Sequence, residues 1–302
     1  ANRRRGNHVL VSSVEHSSVK EPFRYLEENG FRVTYLPVDG SGVVSVEALK
    51  EALDTETILV SVMLVNNEIG TIEPVEEIGR IVKAFNSEIV FHVDAIQAYG
   101  KMRIFPKKMN IDLMSVSGHK IHGPKGTGFL YIKEKTKIKP LILGGGQQRA
   151  MRSGTENVPG IAGLGKAAEL IYTKDFDSKI EKMYELRDYF VSELENMEGV
   201  TVNGKYGRES APHVVSASFD GVRAEVLLHA LEDKNIYVSS GSACSSNKPG
   251  LSSTLVAVGI KQELLDSTIR FSFCFDTTKE QLDYTLGALR ELLPVLRKYK
   301  RM

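Results

Sequence analysis

The first half of the chain alternates short, almost unbroken apolar runs with amphipathic stretches, and few architectures accept that pattern. "HVLVSS" (8–13), "FRVTYL" (31–36), "ILVSVMLV" (58–65), "EIVFHVDA" (88–95), "DLMSVS" (112–117) and "GFLYIK" (128–133) read as strands. Their apolar continuity suits strands covered on both faces. Between them, "VKEPFRYLEENG" (19–30), "SVEALKEALD" (45–54) and "PVEEIGRIVKAFN" (74–86) carry helical periodicity, the last with Pro74 at a first-turn position. Strand and helix in alternation predict an α/β fold, a mostly parallel sheet with helices on both faces.

The pattern changes after about residue 156. Two long helical segments follow, "NVPGIAGLGKAAELIYTK" and "KIEKMYELRDYFVSELENM", then the strands "HVVSASF" (213–219) and "TIRFSFCF" (268–275) and a last helix over about 278–298. This predicts a large α/β domain over 1–156, then a connecting helix and a smaller α+β domain over 157–302. With 302 residues the chain has room for both.

Charge excludes some partners. Lys plus Arg (39) and Asp plus Glu (38) nearly cancel, so no global field favours nucleic acid or a membrane surface. The basic clusters Arg3-Arg4-Arg5 and Arg297 to Arg301 read as solvated ends. The run Ile58 to Val65 is far too short to span a bilayer. No charged-then-apolar leader opens the sequence, and two cysteines make no disulfide framework, so a reducing cytoplasm is the expected setting.

Open α/β sheets bind ligands at the carboxyl ends of their strands. "SSVEH", "VNNEIG", "HVDAIQ" and "SGHK" follow four of the apolar runs, and this coincidence points to one shared pocket. Asp94 closes an apolar run, where a carboxylate is costly without a partner. It reads as a cap for the next segment or as the partner of a protonated ring nitrogen. Lys120 lies 26 positions downstream. Such an Asp and Lys are the pair a pyridoxal phosphate enzyme uses, the lysine holding the cofactor aldehyde and the carboxylate keeping the pyridinium protonated. Ser117 and His119 offer a hydroxyl and an imidazole N–H for a phosphate. "GHKIHGPK" fails as a P-loop because Pro124 stands where that motif needs its lysine, and "HKIH" has no Cys or carboxylate cluster beside it to make a zinc site.

His16 reads as a structural cap or as a ring-stacking proton shuttle. Asn67 and Gln97 are neutral hydrogen-bonders suited to a phenolic oxygen. Cys244, in "VSSGSACSSNKPG", sits in a Ser- and Gly-rich run that predicts an exposed loop and a reactive thiol. Cys274, in "IRFSFCF", reads as an inert core cysteine. Arg270 suits a substrate carboxylate or a surface salt bridge.

"SSVEHSSV", "VNNEIG", "HVDAIQAYGK", "SGHKIHGPKGTGFLYI", "GGGQQRAMRSGTEN" and "VSSGSACSS" with "STIRFSF" resemble, in order and spacing, the NifS-like cysteine desulfurases. These are class V aminotransferases of the pyridoxal phosphate fold type I, and the resemblance spans essentially the whole chain. It implies that Lys120 carries pyridoxal 5'-phosphate, Asp94 pairs with the ring nitrogen and His16 stacks on the ring. By the same resemblance Asn67 and Gln97 contact the phenolic oxygen, Ser117 and His119 hold the phosphate, and Arg270 grips the substrate carboxylate. Thr155 matches a threonine that reaches the phosphate of a neighbouring subunit, which implies a homodimer. Cys244 matches the nucleophile that takes sulfur from L-cysteine, leaving alanine, and passes it to a scaffold or other acceptor protein for iron-sulfur cluster assembly or thio-cofactor synthesis.

Family members begin with an additional segment ending in a "GATES"-like turn that also binds the phosphate. The sequence has no such turn, and weaker cofactor binding is the expectation. The alternatives are another class V enzyme, such as a selenocysteine lyase or an aminotransferase, and a truncated non-catalytic form that serves as a binding partner. The Ser-Gly loop around Cys244 speaks against a plain aminotransferase, which needs no thiol.

Overall fold

The computed structural model describes residues 1–240 and 251–299. The chain divides into two compact units. One comprises 1–36, 45–64 and 73–176; the other comprises 37–44, 65–72 and the chain from 177 onward.

The first unit is built on the expected sheet. Strands β1 (His8–Ser12), β2 (Arg32–Leu36), β3 (Thr57–Met63), β4 (Val90–Asp94), β5 (Leu113–Ser117) and β6 (Gly128–Ile132) lie in the order β2-β1-β3-β4-β5-β6. All neighbours are parallel except β5 and β6. Val9, Leu10, Val11, Val60, Val62, Phe91 and Val93 are buried, which is why these segments read as continuous apolar runs. Helices α1 (Ser17–Glu28), α2 (Val46–Ala52) and α3 (Val75–Phe85) fall between the first four strands in sequence. Pro74 stands at the cap of α3, one residue before the first-turn position expected for it. Helix α4 (Val158–Ile171) also belongs to this unit, capped by Asn157, whose side chain accepts the Gly160 N–H.

The second unit carries a four-stranded sheet in the order β7-β8-β10-β9, from β7 (Val200–Asn203), β8 (Val214–Phe219), β9 (Ser239–Ser240) and β10 (Thr268–Ser272), all antiparallel. Its helices are α5 (Phe176–Glu195), α6 (Ala224–Glu232), the short α7 (Ser253–Ala257) and α8 (Gln262–Leu265), and α9 (Lys279–Leu296). A capping box at Thr278 and Gln281 starts α9.

Strand β10 stops short of its apolar run. Thr277 Oγ1 accepts the backbone N–H of Cys274 at 2.9 Å, drawing that residue into a turn. Cys274 is consequently partly exposed, which corrects its reading as a core cysteine.

Candidate functional site

Three strands of the first unit, β1, β4 and β5, end in polar residues, at Ser12, Asp94 and Ser117. Beyond β1, His16 caps α1: its Nδ1 accepts the Ser18 N–H at 3.1 Å and stands 2.8 Å from the Ser18 hydroxyl. An Nδ1 that accepts a backbone N–H places the ring proton on Nε2 when the imidazole is neutral. His16 is therefore a cap, and its outer nitrogen keeps a proton to use.

Asp94 ends β4 and is 4% exposed. Its Oδ1 accepts the Ile96 N–H at 2.9 Å, so it caps the turn that presents Gln97. Burial pushes its carboxyl upward, while the Ile96 N–H and the nearby His16 pull it down. Both readings of Asp94 thus begin from one arrangement: one oxygen fixes the turn and the carboxylate stays near His16.

Strand β5 runs into a short 3₁₀ turn, Gly118–Ile121, which carries His119 and Lys120. Ser117 Oγ lies 2.7 Å from His119 Nδ1, so hydroxyl and imidazole act as one polar unit. Burial and then the charges of Lys120 and Lys125 lower the His119 pKa. An imidazole wedged beside two ammonium groups gains most from an anion, which fits a phosphate ligand. The glycine between them has a steric reason: a Cβ on Gly118 would lie 2.8 Å from Thr127 Oγ1. Lys120 itself is exposed. His16, Asp94, Gln97, Ser117, His119 and Lys120 are therefore gathered at the carboxyl ends of β1, β4 and β5.

Thr155 is exposed in the irregular stretch before α4. Asn67 and Arg270 belong to the second unit, where they meet. Arg270 Nη1 donates to the Asn67 carbonyl at 2.8 Å, and Nη2 donates to Ser239 Oγ at 3.2 Å. Arg270 is no surface salt bridge, then, because two uncharged oxygens hold its guanidinium. Its Nε is buried and has no hydrogen-bond partner among the described residues. Cys244 lies outside the described residues.

Sequence reasoning passed over Glu15. It is 3% exposed, and its Oε1 accepts the Met63 N–H at 2.5 Å. Burial, then the charge of Asp94, pushes its carboxyl well above the ordinary range, against the pull of the Met63 N–H. The signal was present in "SSVEH", an acid directly after an apolar run. It was hidden by the histidine beside it.

The arrangement fits pyridoxal phosphate in its donors. A buried carboxylate suits a ring nitrogen, Ser117 and His119 suit a phosphate, and a primary amine stands on the same turn. Among the described residues, no helix is long and apolar enough to cross a membrane.

Comparison with known proteins agrees. The family described as aminotransferase class-V matches residues 1–285. The cysteine desulfurase IscS of Dictyoglomus turgidum is 46% identical over 294 residues, covering 97% of this chain and 74% of that protein. The cysteine desulfurase IscS of Clostridium botulinum strain Hall is 46% identical over 303 residues, covering 100% and 75%. Among solved structures, a NifS-like protein superposes with a TM-score of 0.90 at 40% identity, over 98% of this chain and 77% of that one. The apo cysteine desulfurase of Thermococcus onnurineus does so with a TM-score of 0.85 at 27% identity, over 97% and 74%. With a family match over nearly its whole length and the lysine, carboxylate and serine-histidine pair gathered at the strand ends, this chain belongs to the class-V aminotransferases.

Proposed function

We infer that the chain is a pyridoxal phosphate-dependent cysteine desulfurase. The net reaction converts L-cysteine and the Cys244 thiol into L-alanine and a persulfide on Cys244. A carbon–sulfur bond breaks in the substrate, a sulfur–sulfur bond forms, and the substrate's β-carbon gains a proton. The observation that carries the reading is that Lys120, buried Asp94, His16 and the Ser117–His119 pair all stand at the carboxyl ends of the parallel strands β1, β4 and β5.

The bound cofactor supplies an electron sink that acidifies the substrate α-carbon. Lys120 Nζ holds the cofactor aldehyde and then takes the α-proton. Asp94 keeps the proton on the ring nitrogen, and Ser117 and His119 hold the phosphate. His16 stacks on the ring with Nε2 available for proton transfer. Asn67 and Gln97 contact the phenolic oxygen. Arg270 binds the substrate carboxylate, and its buried Nε, without a partner among the described residues, is a donor such an anion would satisfy. Cys244, as thiolate, attacks the substrate sulfur.

A homodimer in which Thr155 reaches the partner's phosphate, a cytoplasmic setting and transfer of the sulfur to a scaffold protein complete the reading. Their support is the likeness to the NifS-like proteins.

The test begins with the absorbance spectrum after incubation with pyridoxal phosphate and desalting. A cofactor band present in the chain and missing from Lys120→Ala is expected. Alanine and sulfide should then appear from L-cysteine, and Cys244→Ala should abolish both. Transamination that survives in Cys244→Ala would replace the desulfurase reading with that of an aminotransferase.

A further inference from the structure

Strand β3 lies between β1 and β4 in the sheet, and its end ties the other two together. The backbone register of β1 with β3 stops at Val11 and Ser61. Groups two residues apart face the same side of a strand, so the next N–H on the β1 side belongs to Met63. A side chain takes it: Glu15 Oε1 accepts the Met63 N–H at 2.5 Å. Leu64 faces the other neighbour, and its N–H donates to the Asp94 carbonyl at 2.9 Å. Consecutive amides at the end of β3 thus hold Glu15 on one side and Asp94 on the other.

The Glu15 side chain works where the backbone of β1 has already turned away. The Val14 N–H folds back on Ser12 Oγ at 3.2 Å, and the Ser13 N–H donates to the Leu36 carbonyl of β2 at 3.0 Å. The bond to β2 fixes the segment on the side away from Asp94. Glu15 supplies the tie on the β3 side, and His16 follows it directly as the cap of α1. The path across the sheet from His16 to Asp94 therefore runs through one side chain and two neighbouring amides.

A neutral acid can make this tie. Glu15 is 3% exposed, and its Oε2 is buried with no hydrogen-bond partner among the described residues. A charge on such a carboxyl is costly, since a single N–H is there to offset it. Asp94 and Glu73 add negative charge nearby, and Lys20 pulls the other way.

We propose that Glu15 is a positioning residue for the cofactor site: its side chain carries the tie between β1 and β3 past their last backbone pair and so sets where His16 stands relative to Asp94. This rests on the reading in which His16 stacks on the cofactor ring and Asp94 meets its nitrogen. The tie can be tested without that reading.

Glu15→Gln keeps an acceptor oxygen at the same reach without a charge, and Glu15→Ala removes it. Val9→Ala, which hollows the buried core near the start of β1, serves as the control for lost stability. Hydrogen exchange at the Met63 amide is followed in all three without cofactor. The dissociation constant for pyridoxal phosphate is then measured by absorbance titration, with the visible circular dichroism of the bound cofactor, which reports how the ring sits against its neighbours. Glu15→Ala is also made in a His16→Ala background.

Met63 exchange should accelerate in Glu15→Ala beyond its rate in Val9→Ala. Pyridoxal phosphate binding should weaken about tenfold in Glu15→Ala with an altered dichroism band, because the Met63 N–H loses its acceptor and the segment bearing His16 is released. Glu15→Gln should stay within about twofold of the unsubstituted chain in both measurements. Once His16 is alanine, removing Glu15 should cost little further affinity, as expected of two groups that act as one. The proposal fails if Met63 exchanges no faster in Glu15→Ala than in Val9→Ala, or if Val9→Ala weakens binding equally. It fails too if Glu15→Ala costs the same factor with and without His16, or if Glu15→Gln binds as poorly as Glu15→Ala. A His16→Ala chain that binds pyridoxal phosphate as the unsubstituted chain does would overturn the ring-stacking reading instead, and Met63 exchange would still decide the tie.

Discussion

Glu15 accepts the Met63 N–H, and Met63 is the register partner of Asp94 across β3 and β4. Two carboxyl groups therefore stand at one dry end of the sheet, Glu15 3% and Asp94 4% exposed. Two charges so placed repel, and burial penalises each. Burial pushes both carboxyls upward; the charge of Asp94 adds to the shift of Glu15, while the Ile96 N–H and His16 hold back that of Asp94, so Glu15 is the one the arrangement favours as the neutral acid.

At neutral pH, Glu15 should show the carbonyl stretch of a neutral carboxylic acid in infrared difference spectra, and Glu15→Gln should lack it. A raised folded pKa means the folded chain holds the proton longer than the unfolded one. The stability Glu15 contributes is fully present below the ordinary value of 4.5 and is lost as pH rises toward the folded pKa. Glu15→Gln should accordingly gain on the unsubstituted chain as pH rises above that value, by up to about 1.4 kcal/mol per pH unit. Denaturant titration across pH checks this, and parallel curves would show that Glu15 ionises normally.

His92 has the opposite sign. Its Nδ1 lies 2.8 Å from Ser61 Oγ and its Nε2 lies 2.9 Å from Ser115 Oγ, so a polar rung crosses β3, β4 and β5. Some of the side chain remains accessible, yet both nitrogens are occupied by hydroxyls, and burial lowers the pKa to about 4. The unfolded chain takes up this proton below the ordinary 6.5 and the folded chain does not. Stability should fall as the pH drops from about 6.5 to about 4, by at most roughly 3 kcal/mol from this group. His92→Gln should flatten that part of the curve while lowering stability at neutral pH. An unchanged acid limb would locate the acid sensitivity elsewhere.

The alternation of apolar runs made the first sheet legible because burial on both faces writes a strand as an unbroken hydrophobic word. The candidate residues of the first unit were legible for a related reason: a polar group directly after such a word must stand at the strand's carboxyl end. The second unit was harder. Strand β9 spans two residues, α7 five and α8 four, too few for a periodicity to declare itself. The contact between Glu15 and Met63 was not legible at all, since only the folded chain brings together positions so distant in sequence. Cys274 was misread because the run "IRFSFCF" looks continuous. Its break is made by the Thr277 hydroxyl, which the apolar pattern does not register.

Two glycines should respond oppositely to alanine. At Gly118 a Cβ would meet Thr127 Oγ1 at 2.8 Å, Leu164 Cδ1 at 3.1 Å and the Thr127 carbonyl at 3.2 Å. Gly118→Ala should cost about 1–3 kcal/mol and weaken pyridoxal phosphate binding, because the displaced turn carries His119 and Lys120. Gly165, exposed within α4, has nothing among the described residues within 4 Å of an added Cβ. Gly165→Ala should stabilise by about 0.5–1 kcal/mol through helix propensity. Thermal melts of the two variants, with the cofactor absorbance band, test both. A Gly118→Ala chain that melts and binds as before would show that the turn yields freely.

Arg187 is the largest charged side chain buried in the second unit, 1% exposed. Nη1 donates to the Ser210 carbonyl at 2.9 Å and Nη2 to the Gly207 carbonyl at 2.9 Å. Nη2 also donates to Asp188 Oδ1 at 2.5 Å, and the guanidinium lies 4.7 Å from the Tyr184 ring centroid. A planar fork serves these carbonyls and one carboxylate together; an ammonium on a shorter reach does not. Arg187→Lys should therefore cost roughly 2–3 kcal/mol despite keeping the charge, since it strands buried acceptors. Hydrogen exchange should accelerate at Ala211, whose N–H donates to the Gly70 carbonyl at 2.8 Å beside the stapled carbonyls. Urea titration gives the first quantity and mass-resolved exchange the second. If lysine matched arginine in both, charge alone would hold the 207–211 stretch and the fork geometry would be incidental.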